Sequence, residues 1–179
     1  MTLSLNLSDS QNPGYDDQKP LERHVVLVAP EVHWNTGNIG RTCLGTGAWL
    51  HLIKPLGFSL AAREVKRAGL DYWPRVKLKV WDDFKAFQTA MAPGPGEMAF
   101  FSKTGRRSVF NMPGTRRLFL VFGSETRGLP PSLMDRHVGD LFRIPITTDI
   151  RSLNLSTAVG IALYESLRET DFENRLDER

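Results

Sequence analysis

Leu118-Phe-Leu-Val-Phe122 runs without a break into Gly123-Ser-Glu-Thr-Arg-Gly-Leu-Pro130. Five apolar residues in a row have the length of a strand, and their lack of alternation means that both faces are covered, as in a parallel sheet between helices. Glycines and a carboxylate follow at once, and Pro130 suits the start of a helix. Working outward, residues 24–29, 49–53, 77–81, 98–102 and 141–144 read as strands. Residues 36–46, closed by Gly47, read as a helix, as do 61–68, 82–91 and 130–135. The strongest helix is 154–168, where Leu155, Val159, Ala162, Leu163 and Leu167 recur at helical spacing. This alternation predicts an α/β fold, a mostly parallel sheet with helices on both faces. In such sheets ligands sit where loops leave the carboxyl ends of the strands.

At 179 residues the chain has the length of one domain. We expect a mobile N-terminal arm at 1–20, one domain at 21–168 and an acidic tail at 169–179. With 41% apolar and 24% charged residues, a membrane protein and a disordered polyelectrolyte are both excluded. The start of the chain lacks a signal peptide's basic and apolar pattern. A single cysteine, Cys43, rules out an internal disulfide and a Cys-rich metal site and suits a reducing compartment; the expected location is the cytoplasm, with no metal. Net charge is +3 overall, −2 over residues 1–20 and −3 over 165–179, so the middle carries +8. Residues 98–124 hold Lys103, Arg106, Arg107, Arg116 and Arg117 and no acid. A one-signed segment of this kind is either a solvated face or a surface for nucleic-acid phosphates.

Three polar loops follow strands. In Glu31-Val-His-Trp-Asn35-Thr-Gly-Asn-Ile-Gly40-Arg41, Asn35 or Thr36 can cap a helix whose free amides attract an anion, with Arg41 about one turn further on. The loop is not GxGxxG, so a dinucleotide site is unsupported. The second loop is 122–130, where Glu125 either helps to hold a cofactor or pairs locally with Arg127. The third is Ile144-Pro-Ile-Thr-Thr-Asp-Ile-Arg-Ser152-Leu-Asn154-Leu-Ser156, in which Ser152 and Asn154 either cap the long helix or bind an adenine or ribose.

Together, NTGNIGR, FGSETRGLP and IPITTDIRSLNLSTAV, with KPLGF and RAGLDYW between them, resemble the SPOUT class of RNA methyltransferases. Within it the chain looks like the TrmL (YibK) type, which methylates the ribose 2′-hydroxyl of the tRNA wobble nucleotide, cytidine or modified uridine. The similarity covers about residues 24–168. The resemblance implies a deep C-terminal trefoil knot and S-adenosylmethionine bound near Phe101, Gly123, Glu125, Ile144 and Ser152. It implies a homodimer with Arg41, Tyr164 and the long helix near the subunit interface, and the tRNA anticodon stem-loop as partner, contacted by Asn35, Arg41, Arg106 and Arg107. Arg41, Ser152 and Asn154 are the implied catalytic residues. Because a guanidinium is a poor proton acceptor, Arg41 reads as a phosphate and alkoxide binder. The same chemistry on another tRNA position or on rRNA, or a non-catalytic RNA-binding protein of the same fold, are the alternatives.

Two positions depart from that family. His33-Trp34 stands where proline or a small residue is common, and Gly40 replaces a larger apolar residue. Trp34 either stacks on an RNA base or packs against the fold. The four histidines show no metal-ligand spacing, and His24 and His51 read as ordinary strand residues.

Overall fold

The computed structural model describes residues 21–61 and 71–168. The strands are β1 (Glu22–Val28), β2 (Trp49–Ile53), β3 (Lys77–Trp81), β4 (Met98–Phe101), β5 (Arg107–Ser108), β6 (Arg117–Phe122) and β7 (Leu141–Arg143). They form one sheet in the order β3-β2-β1-β6-β4-β7-β5, and every neighbouring pair is parallel. The helices are α1 (His33–Thr46), α2 (Phe84–Met91), α3 (Pro131–Arg136) and α4 (Leu155–Glu165).

The unbroken apolar runs explain the layers. In β1, Val25 and Leu27 point to one side, where Leu50, Leu52, Leu118 and Leu120 meet Ile39 and Cys43 of α1 and Val159, Ala162 and Leu163 of α4. Val26 and Val28 point to the other side, where Ile53, Phe119 and Val121 meet Phe87 of α2 and Leu133 of α3. Each fully buried Leu or Phe stabilises the fold by roughly 1.5–3 kcal/mol relative to exposure.

β2 and β3 lie at the residues expected. β5, two residues long, was not foreseen. The α1 helix begins at His33, three residues before the expected start, and ends at Gly47 in the left-handed conformation (φ 74°), its N–H turned back to the carbonyls of Cys43 and Leu44. The α2 helix starts after Asp83, whose Oδ1 accepts from the Ala86 amide at 2.7 Å. The α4 helix stops at Glu165, short of the expected 168; Arg23 donates from Nη2 to the Ser166 carbonyl at 2.8 Å, satisfying an end group that a longer helix would use. The expected helix at 61–68 lies, but for Ala61, outside the described residues, as do the arm at 1–20 and the tail at 169–179.

From β1 the chain builds outward through β2 to β3, then crosses to β4 on the other side of β1. The crevice expected at such a reversal lies beyond the carboxyl ends of β1, β6 and β4.

Candidate active site

A cleft of about 640 Å³ opens at that edge, inside the ~300–1,000 Å³ range of small-molecule sites. All three polar loops reach it. Phe101, Gly123, Glu125, Ile144, Ser152, Asn154 and Asn35 line it, which brings together seven residues spread over 120 positions of sequence. Arg41, Arg106 and Arg107 are not among the lining residues.

The second loop is tightly wound. Ser124 and Gly128 exchange backbone hydrogen bonds at 3.2 and 2.9 Å, and Gly128 has φ 68°. Gly123 must be glycine, since a Cβ there would overlap the backbone of Gly128 and Leu129. This turn aims Glu125 at the first loop. Its carboxylate accepts from the Glu31 amide at 2.8 Å, the Val32 amide at 3.3 Å and Asn35 Nδ2 at 3.0 Å. The Asn35 Oδ1 in turn accepts from Asn154 Nδ2 at 3.0 Å, so one chain of hydrogen bonds ties the three loops.

Two sequence expectations are corrected here. Neither Asn35 nor Thr36 caps α1: the residue before the helix is Val32, with no side-chain cap. Glu125, ninety residues away, supplies the negative charge near the positive end of the helix, so that end is already occupied by a carboxylate. Nor does Glu125 pair with Arg127. Arg127 lies 3.7 Å from Glu31, and Glu31 also accepts from the Thr126 hydroxyl at 2.7 Å, a bond that, ahead of other causes, holds its carboxyl below the usual range.

Asn154 is the N-cap of α4, its Oδ1 accepting from the Ser156 amide at 2.8 Å and the Thr157 amide at 3.4 Å. With both ends of its amide engaged it positions its neighbours. Ser152 is exposed and lines the cleft. At the floor, Phe101 stacks on Phe122 with centroids 4.6 Å apart and 7° between planes. Lys103, Arg127 and Arg151 stand at the rim; of these, Lys103 belongs to the basic segment read from the sequence, and Arg151 was marked there by its loop position alone.

Arg41 lies on the exposed face of α1, its guanidinium 4.6 Å from the Tyr72 ring centroid. Tyr72 donates to the Gly37 carbonyl at 2.8 Å. Gly40 is explained by its neighbour: a Cβ there would come within 2.5 Å of the Trp73 ring, so the indole fills the space of the missing side chain. Arg107, exposed, packs over Phe142 at 4.4 Å and donates to the Asn111 carbonyl at 3.0 Å. Arg106 is exposed.

His24 and His51 are on strands as expected, but they touch. Trp81 Nε1, which can only donate, bonds His51 Nδ1 at 3.0 Å. His51 therefore carries its proton on Nε2 and donates to His24 Nδ1 at 3.0 Å, and His24 Nε2 faces Glu22 at 3.3 Å. Burial lowers His24 to about 4 and His51 to about 3, the hydrogen bond to Glu22 opposing the fall at His24 and the His24 and Lys79 charges adding to it at His51. Among the described residues no group of three or more His, Cys, Asp or Glu is placed to hold a metal ion, and no helix is long and apolar enough to cross a membrane.

A family model described as the SpoU rRNA Methylase family matches residues 22–164. A tRNA (cytidine(34)-2′-O)-methyltransferase of Burkholderia cenocepacia (strain HI2424) is 44% identical over 151 residues, 84% of this chain and 97% of that protein. A solved structure described as "Structural insights into the 2-OH methylation of C/U34 on tRNA" is similar with a TM-score of 0.74 at 42% identity, covering 84% of this chain and 97% of that one. An AdoMet-bound rRNA methyltransferase from Sinorhizobium meliloti is similar with a TM-score of 0.73 at 26% identity, over 84% of this chain and 57% of that one. A family match that spans every strand of the sheet, and a relative at 44% identity matched over 97% of its length, establish that the chain belongs to the SpoU methylase family.

Proposed function

We propose that this protein transfers the methyl group of S-adenosylmethionine to the ribose 2′-hydroxyl of tRNA nucleotide 34, a cytidine or modified uridine. The observation that carries this reading is the convergence of the three loops on one cleft in a chain 44% identical to an enzyme named for that reaction.

The residues present suit the donor. Leu129, Met134 and Leu155 offer apolar contact for an adenine, and the Ser152 hydroxyl and nearby backbone groups offer hydrogen bonds. When bound, S-adenosylmethionine supplies an electrophilic methyl, so the protein must align the 2′-oxygen and help it lose a proton. The bond broken is carbon to sulfur; the bond formed is carbon to oxygen. Asn35, Glu125 and Asn154 hold the cleft wall in place for that alignment. Arg41 binds the adjacent phosphate and stabilises charge developing on the oxygen, the proton leaving to phosphate or water.

Arg41 lies outside the cleft of its own chain, which supports a homodimer in which a second subunit completes the site. Ile161 and Tyr164, 39% and 56% exposed, lie on α4, which packs against α1, and form a face suited to a second copy. The reading includes the trefoil knot: the chain leaving β6 must pass β4 to reach β7, then return so that α4 packs on β1 and β6. The anticodon stem-loop is the RNA partner and the cytoplasm the location.

The test is a radiolabelled methyl-transfer assay on bulk tRNA from a strain lacking the protein, with mass-spectrometric mapping of the labelled ribose. Label at nucleotide 34 is expected; label elsewhere would favour another RNA position, and none would refute the reading. Arg41→Ala should abolish transfer while S-adenosylmethionine affinity stays within a few fold, and normal turnover would remove Arg41 from the reaction.

A further inference from the structure

Trp34 is 65% exposed in the first turn of α1 and lines the cleft. The other three tryptophans are engaged: Trp81 bonds His51, Trp73 fills the space over Gly40, and Trp49 lies beneath Lys79 at 5.2 Å. An indole this exposed beside the cleft keeps a π face open to a stacking partner. Its only ring contact described is His33, edge-on at 4.5 Å and 63°, and the residues three and four ahead on the helix, Gly37 and Asn38, are too small to shield it.

Trp34, Asn38 and Arg41 all lie on the exposed side of α1. Positions seven apart on a helix share a face and are separated by about 10 Å along the axis. Arg41, at the far end of that face and outside the cleft, is left to the site of a second subunit, while at the near end Trp34 presents a flat aromatic ring beside Lys103, Arg127 and Arg151 of the cleft lining. An unpaired nucleotide has the matching parts: a base with a π face, hydrogen-bonding edges and a phosphate. The rim's positive charge favours RNA over an apolar protein segment as the occupant.

We propose that Trp34 is the platform on which the base of the methylated nucleotide stacks, a role that rests on the methyl-transfer reading above. The test uses the full chain with Trp34→Phe, Trp34→Leu and Trp34→Ala, and an anticodon stem-loop bearing either the natural base or an abasic site at position 34. We expect Trp34→Ala and Trp34→Leu to raise KM for the RNA about tenfold or more, Trp34→Phe to stay near wild type, and calorimetric S-adenosylmethionine affinity to be unchanged in all three. The abasic substrate should cost the wild type a similar factor and cost Trp34→Ala nothing further. Unchanged KM in Trp34→Ala, or equal abasic losses in wild type and variant, would overturn the stacking role while leaving the enzyme's activity intact. A weaker dimer in sedimentation that accounts for the KM change would overturn it in favour of a subunit contact. Wild-type protein inert on every tRNA would instead refute the parent reading and this one with it.

Discussion

Replacing Glu125 by alanine removes the acceptor for two backbone amides and one side-chain amide, at 2.8, 3.3 and 3.0 Å. Hydrogen bonds to a charged acceptor are worth roughly 1.5–3 kcal/mol each when buried. Glu125 is half-buried and one of the three bonds is long, so a total loss of about 3 kcal/mol is expected. For a chain of this size that corresponds to a fall in Tm of about 6–12 °C. Glu125→Gln keeps one oxygen but turns an NH2 toward the donors, and should fall between the two. Because Asn35 is held by both Glu125 and Asn154, Glu125→Ala and Asn154→Ala should be non-additive. Urea denaturation of the two single variants and the double variant measures both effects, and calorimetry should show weaker S-adenosylmethionine binding in Glu125→Ala. Stability of Glu125→Ala within about 0.5 kcal/mol of wild type, the usual spread for a plain surface substitution, would refute the idea that this carboxylate braces the first loop.

The buried histidines set a pH dependence. Both stay neutral when folded, with values of about 4 and about 3 against an ordinary 6.5, so below pH 6.5 the unfolded chain binds protons that the folded chain refuses and stability falls. By pH 5 the pair should cost about 4 kcal/mol; urea titrations giving no loss between pH 6.5 and 5 would contradict the neutral pair. Gly123→Ala should fail to yield soluble folded protein or lower Tm by more than 10 °C, about 3 kcal/mol or more at this size, since backbone rather than a flexible side chain meets the new methyl; a normal melting curve would show that the turn can relax. Arg106→Glu should weaken tRNA binding and flatten its salt dependence by about one or two ion equivalents, whereas an unchanged slope would remove this exposed arginine from the RNA surface.

The Leu118–Phe122 run and the exact bounds of β2 and β3 were legible because strand formation there depends on local apolar patterning, which is written residue by residue. The place where α1 begins was not, because its anchor is Glu125, ninety positions away, and no local rule links a carboxylate after one strand to the amides after another. The two residues of β5 are too few for any periodicity. Asn35, Gly123 and Ser152 stand in three separate loops of the sequence, and the fold brings them to one cleft. Arg107 packs over Phe142 at 4.4 Å, a contact that charge alone does not reveal. Likewise His24 and His51 have nothing in their 27-residue separation to mark them as partners; only the parallel register of β1 with β2 sets a nitrogen of each ring 3.0 Å from one of the other. What the chain's order of residues determined by itself was the elements and their chemistry, since these follow from short-range physics. What the tertiary structure decided was which polar groups satisfy one another and which, like Trp34, are left facing the cleft, because burial and pairing depend on neighbours that sequence distance does not reveal.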